Sequence, residues 1–381
     1  MGAFLGQLNT NTLFSALYNM IISQQVFADN IGKKQTLVDK ARVDGGLYGD
    51  TKLYYSTDAL KSAAWGNDAE AANLLALHRP KAPECQAITI NQFRQVAVTI
   101  DNYLSKQAWG TESAFSDFNG VILGWVGATK DIYDGTHYNT FIGTNVSSQA
   151  KQNISLTLPS GKEAQTLAQA IADLMVKMGD YSRDYNDYGH LRSYAKDDIK
   201  IIWNAKYVNM VKFLDLPTIF HAERLEAHFT EDILPERYFG TVITSSNASD
   251  YSASTPTTGK PIDSDDGSYT PGSNNANGCV RSLVEKTYTV SGTDYHCFPG
   301  EELAVGATIG ASKNFAYGEV YIEDPKVICK VVVKLPPYMS AFSVSTSFFN
   351  GKSLTENHYL TWGFNTLEHL KNYPFITIKE A

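Results

Sequence analysis

The most informative stretch of the sequence runs from Asp198 to Leu214 and reads DIKIIWNAKYVNMVKFL. Its first half is a short apolar run, which predicts a strand over residues 199–204. Its second half has apolar residues at helical spacing, which predicts a helix over residues 205–214. The strand therefore passes into the helix through Asn204, and Leu216-Pro217 ends the helix, because proline disfavours helical backbone before it.

Two long elements precede this stretch. Alternation from Ile88 to Ile100 predicts a strand with apolar ends and a polar middle, anchored at its base and exposed at its centre. An apolar stripe from Glu112 to Tyr133 predicts a helix. Gly120, Gly124 and Gly127 lower its helix propensity, so we expect a closely packed neighbour to compensate.

A second helix is predicted after a short strand at residues 154–158. Ser160 and Glu163 form the pattern of a capping box. Apolar steps of three and four from Ala164 to Met178 then predict a helix packed inside its own domain. The stripe continues through tyrosines, and we expect a Tyr-faced helical extension near a surface, formed by Tyr181, Tyr185 and Tyr188.

The C-terminal part of the chain is predicted to be rich in strands. The segment 245–278 is almost entirely polar, which predicts an exposed or mobile insertion. A hairpin is predicted around Ser291-Gly292 and a type I′ hairpin around Asn350-Gly351. Between them, alternation places one face of a strand on Val327, Cys329, Val331 and Val333.

Composition describes an ordinary folded protein. The 381 residues suggest two or three domains, with 43% hydrophobic and 19% charged residues. The formal net charge is −8 and the basic residues are scattered, which argues against a dedicated nucleic-acid-binding surface. The 22 Tyr and 18 Phe are typical of large contact surfaces.

The four cysteines (Cys85, Cys279, Cys297 and Cys329) are irregularly spaced. This favours free thiols in a reducing compartment over a disulfide pair or a zinc site. The sequence has no recognisable secretory signal and no apolar run of bilayer length, so we expect a soluble protein made in the cytosol.

Candidate chemistry is weak. His221 and His228 are seven residues apart, whereas two zinc ligands on one helical face need a spacing of four, so both are predicted to be structural. The stretch from Asp263 to Gly267 begins like a calcium loop without its ligand spacing, which predicts a solvated turn.

Three carboxylate pairs leave a glycosidase open, and they are Asp197-Asp198, Glu231-Asp232 and Glu301-Glu302. The glycines at 300, 306 and 310 fit no phosphate-binding loop, and no nucleophile elbow is present. The sequence therefore predicts no catalytic, cofactor-binding or metal site, and it favours a structural or binding role over an enzyme.

The order of these elements resembles that of the major capsid proteins of tailed bacteriophages, which have the Hong Kong 97 fold, an α+β fold. Two motifs carry the resemblance: Trp203-Asn204-Ala205, where a strand turns into a helix, and Phe239-Gly240, where a turn ends in glycine before a strand. It covers most of residues 85–245 and, more loosely, the C-terminal strands. The likeness is greatest to capsid proteins of small short-tailed phages (podoviruses) of Gram-positive bacteria.

The resemblance implies a domain organisation. It comprises an N-terminal arm (1–45), an E-loop hairpin (46–100), a P-domain (101–158 and 317–381) with a long spine helix near 112–133, and an A-domain (159–316) with a polar insertion near 245–278.

The resemblance also implies a structural role in an icosahedral shell of hexamers and pentamers. The expected partners are other copies, a scaffolding protein and a portal, with double-stranded DNA enclosed without sequence-specific binding and no membrane contact. The protein would reside in the virion after assembly in the host bacterial cytoplasm. Two alternatives remain, a carbohydrate-binding or adhesive surface module, suggested by the tyrosines and the polar segment 245–278, and a glycosidase.

Overall fold

The computed structural model describes residues 37–46, 49–62, 77, 79–101, 112–208, 230–252, 260–263, 265–271, 278–341 and 343–381. Several predictions lie wholly or partly outside these residues. They concern the N-terminal arm up to residue 36, positions 209–214 of the helix after Asn204, His221 and His228, and parts of the E-loop (63–76), of the P-domain (102–111) and of the polar segment (253–259 and 272–277).

The described α-helices are α1 (Leu37–Ala41), α2 (Glu112–Thr144), α3 (Glu163–Gly179) and α4 (Ala248–Tyr251). The first eight strands are β1 (Arg42–Asp44), β2 (Thr51–Ser56), β3 (Glu84–Asp101), β4 (Asn153–Leu156), β5 (Lys200–Asn204), β6 (Thr230–Leu234), β7 (Gly240–Val242) and β8 (Val280–Ser282). They are followed by β9 (Lys286–Val290), β10 (Thr293–Cys297), β11 (Val320–Glu323), β12 (Val327–Val332), β13 (Tyr338–Ser340), β14 (Ser343–Asn350), β15 (Thr355–Asn365) and β16 (Phe375–Glu380).

A five-stranded sheet in the order β4-β16-β12-β5-β6 forms the centre of the structure. Its middle strand β12 is antiparallel to both neighbours, and all six of its residues are buried. The core that contains Cys329 and Val331 includes α3, whereas Val332 shares a core with the C-terminal half of α2. Burial on both faces means that the predicted alternation in this strand does not mark an exposed face. The strand predicted at residues 199–204 is confirmed as β5, and it joins the sheet beside β12.

The second sheet is antiparallel and has the order β14-β15-β3-β2. The predicted long strand is confirmed as the 18-residue β3, which has buried ends and a largely exposed middle. Its pairing with β15 shifts by one residue, because Phe364 lies opposite Gln92 but Asn365 lies opposite Ile90. Asn91 is therefore the extra residue of a β-bulge, and its side-chain oxygen accepts hydrogen bonds from Thr366.

The bulge changes which face of β3 is buried. Paired residues share a face of a sheet, so a one-residue shift exchanges the faces on its two sides. Below the bulge, Ile88 and Ile90 pack against Met339. Above it, Val96 packs against the core that contains Tyr133 of α2. One strand thus serves two cores on opposite faces, which the sequence alternation alone does not reveal.

A third unit contains the sheet β7-β11-β8 and the β9–β10 hairpin. Its core includes Ile262 and Tyr269, which are buried although they belong to the polar segment 245–278. The prediction that this whole segment is an exposed insertion is therefore wrong. Ile262 and Tyr269, together with the partly buried Tyr251, anchor the segment, because burial of apolar side chains is favourable.

Helix α2 ends at Thr144 and not at Tyr133 as predicted. Its extra turns carry Tyr138 and Ile142, both fully buried, and this packing outweighs the low helix propensity of the glycines and threonines there. The predicted close neighbour of Gly120, Gly124 and Gly127 is absent from the described residues, since a Cβ at any of the three would have no atom within 4 Å.

Helix α3 is confirmed, but its predicted ends are wrong. The residue before it is Lys162, and no side chain caps the helix, so Ser160 forms no capping box. Instead, the backbone N–H groups of Glu163, Gly161 and Lys162 at the start of the helix lower the pKa of Glu163 by stabilising its carboxylate. The helix stops at Gly179, and Tyr181, Tyr185 and Tyr188 lie in an irregular segment.

Both predicted hairpins are present, but the type I′ turn predicted at Asn350-Gly351 is wrong, because neither residue has a positive φ. Ser291 and Gly292 have φ values of 50° and 84°, as a type I′ turn requires. The second hairpin has a longer turn than predicted, because Asn350 pairs with Thr355. Here the residue with positive φ is Leu354, at 54°.

Candidate functional site

Two carboxylates of the pairs found in the sequence have partners of their own. Asp232 forms an ion pair with Lys40. Glu301 accepts a hydrogen bond from the backbone N–H of Phe298 at 2.8 Å. Asp197 and Asp198 lie in an exposed 3-10 turn, Lys196–Asp198.

In the acidic turn that resembles a calcium loop, backbone N–H groups of the turn itself bind the carboxylates. Asp263 accepts a hydrogen bond from the N–H of Asp265 at 3.0 Å, and Asp266 accepts one from Ser268 at 2.7 Å. No group of three metal-ligating side chains occurs among the described residues. All four cysteines are free thiols, and burial raises the pKa of Cys297 to about 12, so that thiol is a poor nucleophile.

A cavity of about 520 Å³ lies between α2, the part of the β3–β15 pair that follows the bulge at Asn91, and the loop at Leu283. Among the described residues that line it, Arg94, Tyr133 and His137 are the ionisable side chains. Burial lowers the pKa of His137 to about 4, so the ring is neutral near pH 7.

Three large apolar side chains at the tip of the β14–β15 hairpin are exposed to solvent. Phe348 is 64% exposed, Phe349 is 53% exposed, and Leu354 in the turn is 41% exposed. A surface of this kind is expected to be covered by a partner, because removing exposed aromatic side chains from water is favourable.

A second exposed strip lies on β2, where Leu53 is 52% and Tyr55 is 63% exposed. The end of this strand is firmly held: the Ser56 hydroxyl lies 2.7 Å from Nδ1 of buried His190. The guanidinium of Arg192 donates to the carbonyl oxygen of Thr57 at 2.5 Å. The strand is thus fixed at one end while its apolar side chains face solvent.

Strand β1, which precedes β2, is tied to α2 through Asp134, which is completely buried. Its carboxylate accepts hydrogen bonds from Tyr338 at 2.6 Å, from Lys130 at 2.8 Å and from Arg42 at 3.3 Å. Because Arg42 belongs to β1 and Tyr338 to β13, one carboxylate joins three elements.

Near the C-terminal end of α2, Lys330 is buried in the middle of β12 with 1% exposure. Its ammonium donates to the carbonyl of Asn145 at 2.7 Å and to the hydroxyl of Thr377 at 2.8 Å. Burial lowers its pKa to about 7. Sequence analysis missed this residue, although a lysine inside VICKVV is a signal that could have found it.

The described residues therefore contain firmly anchored elements with exposed apolar strands, and no assembled catalytic or metal site. No described helix has the length and apolar character needed to cross a membrane.

No protein-family model and no curated protein matches the sequence. Solved structures do match. A chain of the capsid structure of Staphylococcus phage Andhra has a TM-score of 0.59 and 11% sequence identity, over 94% of this chain and 87% of that chain. A chain from the structure of head fiber and inner core protein gp22 of native bacteriophage P68 has a TM-score of 0.56 and 11% identity, over 94% of this chain and 88% of that one. The chain therefore has the Hong Kong 97-type α+β fold.

Proposed function

We propose that this chain is a major capsid protein, a structural subunit that self-assembles into the icosahedral shell around double-stranded phage DNA. The observation that carries the proposal is the likeness in fold, over 94% of the chain, to a chain of a phage capsid structure. The exposed apolar strands held on buried polar anchors support it, because a shell subunit must present rigid contact surfaces to its neighbours.

The proposed domains follow the predicted boundaries: N-terminal arm 1–45, E-loop 46–100, P-domain 101–158 and 317–381, and A-domain 159–316. The spine helix is α2, longer than predicted. The five-stranded sheet includes β5 from the proposed A-domain and β12 from the proposed P-domain, so these two domains share a core and unfold together.

The proposed partners are other copies arranged as hexamers and pentamers, a scaffolding protein and a portal. The net charge of −8 suits a shell that encloses DNA without binding its phosphates tightly. The protein would be non-enzymatic and reside in the virion, after assembly in the host bacterial cytoplasm. A short-tailed phage of a Gram-positive host is proposed, and the Staphylococcus phage match supports the host class.

Negative-stain electron microscopy of the full chain, expressed with its neighbouring genes and sized by light scattering, tests the proposal. Closed shells, or rings of five or six copies, are the expected result. A uniform population of monomers at every salt concentration and with added scaffolding protein would overturn it.

A further inference from the structure

Strand β14 is the outer strand of the four-stranded sheet, and no described strand pairs with its free edge. From Val344 to Phe349 every side chain is exposed. Such an edge presents a row of backbone N–H and C=O groups that another strand can pair with.

Proteins usually protect an edge of this length with charged residues or proline. Strand β14 reads SVSTSFFN and contains neither. Its valine, threonine and two phenylalanines instead favour strand pairing. The edge is therefore built to accept a partner strand.

The exposed phenylalanines show the direction from which the partner approaches. Phe349 pairs with Glu356, which in turn lies opposite Ile100, so Phe349 shares the face of the sheet that packs on α2. Phe348 lies on the opposite face because side chains alternate along a strand. A partner resting on one face would leave one ring in water, whereas a strand added at the edge flanks both rings.

We propose that β14 pairs antiparallel with β14 of a second copy of this chain, about a two-fold axis at Thr346. A two-fold axis brings each residue near its own copy, so a charged strand would place like charges together, and the uncharged β14 matches itself. With Thr346 opposite its own copy, Val344 lies opposite Phe348 of the second copy, which buries an apolar pair on each side of the axis. The shell proposed above would supply the second copy, and the pairing rests on that proposal only in this respect.

Site-specific disulfide formation tests the pairing in the full chain with the exposed Cys85 changed to serine. Paired residues on neighbouring antiparallel strands have Cα atoms about 4.5–5.5 Å apart, within disulfide range. T346C is therefore expected to give crosslinked dimer on mild oxidation. V344C is the matched control, because its two copies would be about 13 Å apart, four residues along the strand, and it is expected to stay monomeric on a non-reducing gel.

Equal crosslinking of both variants, or none of T346C, would overturn the pairing. Microscopy of the same samples separates the two proposals: shells without the T346C crosslink remove the pairing and keep the capsid function. Crosslinked dimer without shells removes the capsid function and keeps the pairing. T346K adds a second readout. Like charges on the axis are expected to abolish the dimer while the thermal unfolding midpoint stays unchanged. T346S is the control and is expected to preserve both the dimer and the midpoint.

Discussion

The ammonium nitrogen of Lys330 lies 2.7 Å from the main-chain oxygen of Asn145, the residue after the last turn of α2. A buried cation thus meets the carbonyl end of a 33-residue helix, where the helix dipole is negative. Because Lys330 is in the central strand β12, this contact fixes the end of the longest helix to the middle of the five-stranded sheet.

The first prediction concerns the pH dependence of stability. The ordinary pKa of lysine is 10.5, and burial lowers that of Lys330 to about 7. Between these values the unfolded chain binds more protons than the folded chain, so the free energy of unfolding rises with pH. The positive charge of Lys379 also lowers the pKa of Lys330, whereas Asp324 and Cys329 raise it.

Changing Lys330→Met is expected to remove this rise. The free energy of unfolding of the natural protein, relative to that of K330M, should increase between pH 7.5 and 9 by up to about 1.4 kcal/mol per pH unit. Urea unfolding across this range measures the difference. K352M, at an exposed turn, is the control and is expected to parallel the natural protein. Parallel pH profiles for K330M and the natural protein would show that Lys330 does not titrate there.

The second prediction contrasts two glycines of α2. A Cβ at Gly143 would overlap the carbonyl oxygen of Tyr238, whereas one at Gly124 would have nothing within 4 Å among the described residues. G143A is therefore expected to destabilise the chain by about 1–3 kcal/mol through overpacking. G124A is expected to stabilise it by about 1 kcal/mol, because alanine is the better helix former. Thermal unfolding of both variants checks this, and equal effects would contradict the packing around Gly143.

The third prediction concerns the carboxylate that joins α2, β1 and β13. D134N keeps the shape of Asp134 but removes the charge that Lys130, Arg42 and Tyr338 contact. A loss of about 3 kcal/mol in the free energy of unfolding is expected, since one buried partner of an ion-pair network is removed. D173N, on the exposed face of α3, is the control and should change stability by less than about 0.5 kcal/mol. A loss no larger than that of D173N would show that the network contributes little.

The sequence predicted the strands and helices whose patterns are local, including β3, β5, α3 and both hairpins. It missed what long-range packing decides. Nothing local marks Asn91 as a bulge, and Lys330 fits an alternating strand until α2 is known to cover that face. Likewise, α2 continues past Tyr133 because Tyr138 and Ile142 find partners that are distant in sequence.

The last prediction divides the polar segment 245–278 at Tyr269. This ring is 1% exposed, packs in the core of the third unit, and donates a hydrogen bond to Glu302 at 2.7 Å. Y269A is expected to cost about 3–5 kcal/mol, as truncation of a buried aromatic usually does. Y269F removes only the hydroxyl and should cost about 1 kcal/mol.

Replacing residues 272–277 with a Gly-Ser linker of the same length tests the part of the segment that follows Tyr269. The flanking Pro271 is exposed and Gly278 begins the return to β8, so the replacement leaves the core contacts of Tyr269 intact. Stability within about 0.5 kcal/mol of the natural protein is expected, because the replaced sequence GSNNAN contains no large apolar side chain. If Y269A and the linker variant unfold at the same midpoint, the buried ring does not anchor this segment.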